Sequence, residues 1–180
     1  MPALVTRRLR LVPVTLAAIE AVLDHDRARA EAEVGARFPD EWPNDELVAS
    51  AFPYSRAAIR EAPDVRLWGD SLALIDPPAA ATPRVIGSVV FHGHPGDGVA
   101  EVAYSIEDGS RGQGYATEAT LACVEWALLQ RGIRAVQATT FAWHKASLGV
   151  IQKLGMTRIA SRDHDTLGEL LVFERRASAP

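Results

Sequence analysis

A glycine-containing segment at residues 108–117, DGSRGQGYAT, has the residue types of an anion-binding loop. It follows a β-strand pattern and passes directly into a helical pattern. The backbone N–H groups of residues 111–116 can therefore point into one concavity at the positive end of the helix dipole. Gly112 and Gly114 permit a positive φ or the close approach of a ligand oxygen, and Arg111 adds a positive charge. The pattern predicts an anion cradle, and a tight strand-to-helix turn is the alternative.

Two familiar phosphate-binding motifs do not fit this loop. A dinucleotide-binding fold needs an acidic residue roughly 20 residues beyond the glycines, and the segment IRAVQATTFAW at residues 133–143 contains none. A nucleoside triphosphate loop needs Lys followed by Ser or Thr after its last glycine, where this chain has Tyr115 and Ala116. An anion held here is therefore expected to be a diphosphate, bound mainly by the backbone and without an obligatory metal.

Composition limits the classes of protein to consider. The chain has 180 residues, 48% of them hydrophobic, and a formal net charge of −4, which argues against a nucleic-acid partner. Cys123 is the only cysteine, so an intramolecular disulfide is excluded. Arg7, Arg8 and Arg10 interrupt the apolar N-terminal segment, which therefore fits neither a signal peptide nor a membrane span. We expect one domain over residues 1–180, in the cytoplasm.

Hydrophobic periodicity predicts strands alternating with helices. Between residues 31 and 64 the pattern dissolves into short helical pieces broken by prolines. Elsewhere it predicts strands at residues 8–14, 68–76, 84–93, 98–108, 135–141, 157–161 and 169–176, and helices at residues 16–26, 117–131 and 145–154. This order indicates a mixed sheet with helices packed on it.

Five segments resemble the GNAT superfamily of N-acetyltransferases. SRGQGYATEA resembles its pyrophosphate-binding motif, with Arg111, Gly114 and Ala116 on the defining positions. In the branch that includes ribosomal-protein alanine acetyltransferases, RRLRLVPVT is similar to the first strand and VIGSVVFHG with VAEVAYSIED to the central hairpin. HKASLGVIQKLGM is similar to the helix beside the CoA thiol. The resemblance implies an α/β (α+β) fold with a mixed, mostly antiparallel sheet and helices on both faces.

The resemblance also implies an activity and a cosubstrate. The reaction would move an acetyl group from acetyl-CoA to a primary amine, on a protein N-terminus or a small molecule, by direct attack on the thioester and without a metal. In this family the strand before the cradle splays from its neighbour, and its backbone receives the pantetheine arm. The implied cofactor-binding residues are Val102, Tyr104, Ile106, Arg111, Gly112, Gln113, Gly114, Tyr115, Ala116, Thr117 and His144, the last in place of the usual asparagine.

Catalytic residues are carried over from the family by position. Glu101 matches a glutamate that removes the amine proton through water, and a solvated strand glutamate is the alternative. Many relatives have a proton-donating tyrosine where this chain has Ile151. Ser147 matches a serine near the CoA sulfur and is the expected replacement, as a donor or as a holder of water. A helix-start serine bonded to the local backbone is its alternative.

The acceptor site is the least specified part of the sequence. Trp42 falls in the irregular segment that forms one wall of this site in the family, so a substrate contact is expected there, with packing under a loop as the alternative. His92, His94 and Asp97 lack a convincing fourth metal ligand and are expected to be turn residues. A catalytically silent acyl-CoA-binding module is the rival function, and a homodimer is left open.

Overall fold

The computed structural model describes residues 3–40, 43–61, 63, 66–76, 81–92 and 94–177. Its strands are β1 Leu4–Val5, β2 Arg10–Pro13, β3 Asp70–Ile75, β4 Arg84–Phe91, β5 Val99–Ile106, β6 Ala135–Phe141, β7 Thr157–His164 and β8 Gly168–Arg176. Its helices are α1 Leu16–Leu23, α2 Arg27–Val34, α3 Asp45–Ser50, α4 Phe52–Glu61, α5 Tyr115–Leu128 and α6 Lys145–Lys153. Within these ranges, no helix is both long and apolar enough to cross a membrane.

The strands form one sheet in the order β1-β2-β3-β4-β5-β6-β8-β7. The neighbouring strands are antiparallel, except that β5 and β6 are parallel. A parallel pair needs a crossover connection, and α5 provides it here. The predicted mixed, mostly antiparallel sheet is therefore confirmed.

Side chains on the two faces of the sheet form two hydrophobic cores. One core packs α5 and α6 against β4, β5 and β6, and the other packs α1 and α2 against β3 and β4. Successive side chains of β3 point to opposite faces of the sheet and enter different cores. Ala73 belongs to the first core, whereas Leu72 and Leu74 belong to the second. The predicted placement of helices on both faces is confirmed.

The N-terminal helices differ from the expected pattern. The helix predicted over residues 16–26 is wrong in its last three residues, because α1 ends at Leu23 and His25 has a φ of +56°. Asp26 instead caps the N-terminus of α2, where its side chain accepts a hydrogen bond of 3.0 Å from the Arg29 N–H. The irregular region between residues 31 and 64 contains, where it is described, the end of α2, a non-helical stretch in which Arg37 bridges to Arg84 of β4, and then α3 and α4.

The only cysteine lies on the buried face of α5, inside the core. Cys123 is 3% exposed, and burial raises the pKa of its thiol to about 12. A thiol in this environment stays protonated and behaves as a small apolar side chain.

A close backbone contact joins β4 to β5. Gly87 pairs with Ile106, and a Cβ on Gly87 would lie 2.1 Å from the carbonyl oxygen of Ser105 and 2.9 Å from the Cα of Ile106. Both clashing atoms belong to the backbone, so a side-chain rotation cannot relieve the overlap. Glycine at position 87 therefore allows β5 to approach β4 at the end that leads into the anion cradle.

We expect Gly87→Ala to lower the free energy of unfolding by about 3 kcal/mol, because the strands must shift to accommodate the methyl group. The matched control is Gly149→Ala in α6, where a Cβ meets no atom within 4 Å. That change should raise stability by about 0.5 to 1 kcal/mol, since alanine is the better helix former. Urea unfolding of both variants provides the measurement, and a stable Gly87→Ala protein would contradict the close approach.

Candidate active site

The parallel strands β5 and β6 separate in the middle of the sheet. They pair only at Val99, Ala100 and Glu101, although β5 continues to Ile106 beside β4 and β6 continues beside β8. Among the described strands, none pairs with this edge of β5 beyond Glu101. We call the opening between residues 102–106 and 138–141 the strand gap. Its unpaired backbone can accept an extended, amide-containing ligand, which is the divergence that the family resemblance implied.

The loop predicted as an anion cradle lies at the end of β5. Gly112 and Gly114 have φ angles of +76° and +84°, which L side chains rarely adopt. The first backbone hydrogen bond of α5 runs from Glu118 N–H to the Gly114 carbonyl at 3.0 Å. Backbone N–H groups of residues 112–117 have no acceptor within the described part of the chain. These donors surround the positive end of α5 and form a site suited to an anion.

Arg111 and its neighbours fix the cradle to the end of β5. The Arg111 Nε donates to the Ile106 carbonyl at 3.0 Å, and its Nη2 lies 2.8 Å from Asp108 Oδ1. Glu107 accepts hydrogen bonds from Ser110 and Arg84, which together hold the pKa of its carboxyl below the usual value. The Arg111 side chain therefore anchors the loop, and its charge is shared with Asp108.

A polar latch missed by the sequence analysis ties the N-terminal segment to the first turn of α5. Glu118 accepts hydrogen bonds from Thr6 Oγ1 at 2.7 Å, from Arg8 N–H at 2.8 Å and from Arg8 Nε at 2.6 Å. Arg8 also donates to the Gln113 carbonyl at 3.0 Å, and its guanidinium carbon lies 4.3 Å from the Tyr115 ring centroid. Burial works to raise the pKa of Glu118, but the hydrogen bonds outweigh burial and lower it.

Glu101 lies where the two strands part. It is exposed and faces away from the buried side chains of Ala100 and Val102, as strand alternation predicts. Thr139 of β6 donates a hydrogen bond of 3.0 Å to Glu101 Oε1, and His92 Nδ1 lies 3.9 Å from Oε2. The carboxylate is thus accessible to solvent and is held at the fork of the strands.

Ser147 lies in the first turn of α6, on the other side of the strand gap from β5. Its hydroxyl is 2.9 Å from the Tyr104 hydroxyl, and its carbonyl accepts a hydrogen bond of 3.2 Å from the same phenol. Burial raises the pKa of Tyr104, with the Ser147 hydrogen bond acting in the opposite direction. Ile151 is 1% exposed and lies in the core, so the position of the usual family tyrosine is filled by an apolar side chain.

The remaining predicted cofactor-binding residues fall around the same gap. Val102 and Ile106 bury their side chains, so only their backbones can serve a ligand. His144 precedes α6 and is exposed, and Gln113, also exposed, donates weakly to the Gly109 carbonyl at 3.4 Å. Trp42, predicted to contact the acceptor, lies outside the described residues.

The two histidines considered as metal ligands do not converge. The His94 ring lies edge-on to the Trp68 ring, with 5.2 Å between the ring centroids, whereas His92 faces Glu101. Asp97 accepts a hydrogen bond of 3.0 Å from the Val99 N–H. In the part of the chain that the structure describes, no group of three or more His, Cys, Asp and Glu residues is placed to hold a metal ion.

Comparison with known proteins agrees with this fold. The sequence profile of the acetyltransferase (GNAT) domain matches residues 8–157. An uncharacterized N-acetyltransferase of Bacillus subtilis, YjdG, is 26% identical over 156 residues, which cover 86% of this chain and 89% of that protein. The chain is also similar to the ribosomal-protein-S5-alanine acetyltransferase of Vibrio fischeri, with a TM-score of 0.70, 10% identity and coverage of 98% and 97% of the two chains. The RimL ribosomal L7/L12 α-N-protein acetyltransferase in complex with CoA gives a TM-score of 0.65 at 15% identity, covering 97% and 98% of the two chains.

The protein belongs to the GNAT family of acetyltransferases. It is an acyltransferase of the N-acetyltransferase class, and the family uses acetyl-CoA. The rival function, a catalytically silent acyl-CoA-binding module, finds no support in these comparisons. The single-domain organisation, the cytoplasmic location and a homodimer stay predictions.

We expect Glu118→Gln to lower the free energy of unfolding by about 2 kcal/mol near neutral pH, because it breaks charge-assisted hydrogen bonds in the latch. The folded carboxyl has a lowered pKa. Its contribution is therefore complete above the unfolded value of about 4.3 and is lost as the pH falls through the folded value. Urea unfolding across the acidic range should show the two proteins converging at low pH.

The matched control for the latch is Glu125→Gln on the same helix. Glu125 has a side chain 56% exposed and lies 3.6 Å from Arg175. An exposed pair of this kind contributes little, so the control should stay close to the parent. Equal losses in the two variants would show that Glu118 has no special role in fixing α5.

Proposed function

We propose that this acetyltransferase moves the acetyl group of acetyl-CoA to a primary amine, on a protein N-terminus or a small molecule, by direct attack on the thioester. The observation that carries the proposal is the strand gap, with the anion cradle at its end, Glu101 at its fork and Ser147 on its far side. Together these features offer a binding site for the cosubstrate, a carboxylate that can accept a proton and a hydroxyl that can donate a hydrogen bond.

The described residues fit acetyl-CoA on two counts. The unpaired N–H groups of residues 112–117 suit a pyrophosphate, and the free edge of β5 suits the amide groups of a pantetheine arm. The cosubstrate supplies an acetyl group activated as a thioester. Val102 and Tyr104 would contribute backbone contacts, and Ile106 would contribute its N–H, because its carbonyl already accepts from Arg111. The exposed His144 would support the arm from the start of α6.

Glu101 takes the role of general base in this proposal. An alkyl amine is mostly protonated at neutral pH, and it must lose a proton before its lone pair can attack. Glu101 is exposed and oriented by Thr139, so it can receive that proton directly or through a water molecule. As the new C–N bond forms and the C–S bond breaks, the released electron pair passes to sulfur.

The departing sulfur needs stabilisation on the side of the gap opposite the base. Ser147 lies there, in the first turn of a helix whose N-terminus favours negative charge. Its hydroxyl donates a hydrogen bond to the sulfur as negative charge develops. Glu101 and Ser147 thereby act on the two reacting partners separately.

The acceptor amine is best sought near Glu101, on the exposed face of β5. α4 borders this region. Its Ser55 hydrogen-bonds to Asp70 at the start of β3. Asp70 pairs with Val90 of β4, and Val90 in turn pairs with Ala103 of β5. Burial raises the pKa of Asp70, while Ser55 and His92 oppose that effect. The names of two structural relatives specify ribosomal proteins as their acceptors, so peptide N-termini are the first acceptors to test.

An amine panel tests the proposed function. Peptides with free N-terminal Ala or Ser, the same peptides with blocked N-termini, and small di- and polyamines are incubated with acetyl-CoA while the free CoA thiol is followed. Acetylation of free but not blocked peptides identifies N-terminal acceptors, and acetylation of small amines alone identifies the other class. Release of CoA that is the same with and without every amine would refute amine transfer.

Gly114→Val should weaken acetyl-CoA binding at least about 10-fold, because a branched side chain enters the cradle and strains a residue at positive φ. Gly155→Val is the matched control, since Gly155 also has a positive φ, +68°, and a Cβ there meets no atom within 4 Å. Calorimetric titration of the folded variants measures both affinities. Similar losses in both would assign the effect to backbone strain and remove the cradle from the site.

Glu101→Gln should lower kcat on the order of 10²-fold while acetyl-CoA affinity barely changes, because general base catalysis typically contributes this much. Glu125→Gln, far along α5, is the charge-matched control. Initial rates across the pH range provide the measurement. A variant with parental turnover throughout would assign proton removal to another group or to bulk water.

A further inference from the structure

We propose that Tyr104 is a positioning residue for departure of the CoA sulfur: its phenol donates a hydrogen bond to Ser147 Oγ and leaves the serine proton free to point at the sulfur. This inference rests on the proposed function and adds a residue that the family resemblance placed only along the pantetheine arm. The contact joins β5 to α6, 43 residues away in sequence, and therefore bridges the strand gap.

The geometry of the pair is specific. The two hydroxyl oxygens are 2.9 Å apart and either can be the donor, while the phenol O–H also has the Ser147 carbonyl oxygen as an acceptor at 3.2 Å. The Tyr104 ring packs against the core beneath α5, which fixes the direction of its hydroxyl. Ser147 Oγ has no other hydrogen-bond partner among the described residues, so the phenol alone orients it.

The direction of the hydrogen bond decides what the pair can do. The phenol has one proton to donate. If that proton goes to the Ser147 carbonyl, the phenol accepts from Oγ and consumes the serine proton, whereas a phenol that donates to Oγ leaves the serine proton available for a third atom. Burial raises the pKa of Tyr104, so the phenol stays protonated at neutral pH and retains its donor. A negatively charged sulfur beside Ser147 then selects the donating arrangement, because only that arrangement presents a proton to it.

The serine keeps its proton during the reaction. A thiol such as that of cysteine has a pKa of about 8.5, far below that of an alcohol, so Ser147 stabilises the thiolate by a hydrogen bond and transfers no proton. The C–S bond breaks with its electron pair on sulfur, the amine proton goes to Glu101 or water, and solvent later protonates the released thiolate. Tyr104 polarises the serine hydroxyl and strengthens this hydrogen bond.

The tyrosine thus reaches the site from a different element than in relatives with a tyrosine on the later helix. Ile151 occupies that helical position here, and it is buried in the same core that supports the Tyr104 ring. In this protein α6 supplies the serine and β5 supplies the phenol. We call Tyr104 and Ser147 the hydroxyl pair.

The test follows the thiol of bound CoA and needs no acceptor amine. CoA is bound to the parent, Tyr104→Phe, Ser147→Ala and the double variant, and the thiolate is titrated by its ultraviolet absorbance. Complexes with desulfo-CoA, which lacks the thiol, subtract the ionisation of the protein itself. Tyr54→Phe is the matched control, because Tyr54 is 76% exposed on α4. Thermal unfolding of each variant confirms that it is folded.

The thiol pKa should rise by about one unit, a tenfold change in the ionisation constant, in Tyr104→Phe and in Ser147→Ala. The double variant should show no further rise, since Tyr104 acts through Ser147. Ser147→Thr retains the hydroxyl and should still respond to Tyr104→Phe. In turnover assays with an active amine, Tyr104→Phe should lower kcat about 10-fold in the parent and have little effect in Ser147→Ala, with KM for acetyl-CoA unchanged.

Distinct results overturn the inference and the proposed function. An unchanged thiol pKa in folded Tyr104→Phe, or losses that add in the double variant, would reduce Tyr104 to a packing residue while acetyl transfer by the parent still stands. Failure of the parent to bind CoA would overturn both. Binding with the expected pKa shifts but no transfer to any amine would uphold the hydroxyl pair and overturn amine acetylation.

Discussion

The structure depends on the parting of β5 and β6 after Glu101. Inside a sheet, unpaired backbone groups carry a free-energy cost unless water or a ligand satisfies them. Here the outer parts of the sheet stay continuous, because β4 supports one side of the gap and β8 the other. Since the strands are parallel, the helices that follow them begin at the same end of the gap. Two helix N-termini therefore face one opening, as is common for crevices at the carboxyl ends of strands.

Contacts from outside the loop keep this opening in shape. The cradle contains glycines at positive φ and many unpaired donors, so its own backbone gives it little rigidity. Glu118 provides the missing constraint by binding Thr6 and Arg8 in the N-terminal segment. On the other side, Tyr104 and Ser147 hold α6 at a fixed distance from β5. The anion site and the thiol site are therefore braced by different polar contacts.

Local patterns in the sequence were sufficient for most of the sheet and for the position of the glycine loop before α5. Period-two alternation placed Glu101 opposite Val102, and the spacing of Gly112 and Gly114 marked the loop. The split between α1 and α2 was missed, because apolar spacing continues up to the αL residue His25. Contacts between distant residues were also inaccessible: nothing local to Arg8 indicates Glu118, 110 residues later, and nothing local to Tyr104 indicates Ser147.

The buried thiol of Cys123 has a practical meaning for chemistry at this site. Disulfide exchange requires a thiolate that can reach its reagent. Cys123 is only 3% exposed, and because burial raises the pKa of its thiol to about 12, the thiol is protonated at neutral pH. We therefore expect the folded enzyme to be unreactive toward aromatic disulfide reagents, whereas CoA released by acetyl transfer would react with them. While the fold is intact, the absorbance developed with such a reagent measures released CoA alone. Unfolding exposes Cys123 and adds one reactive thiol per chain.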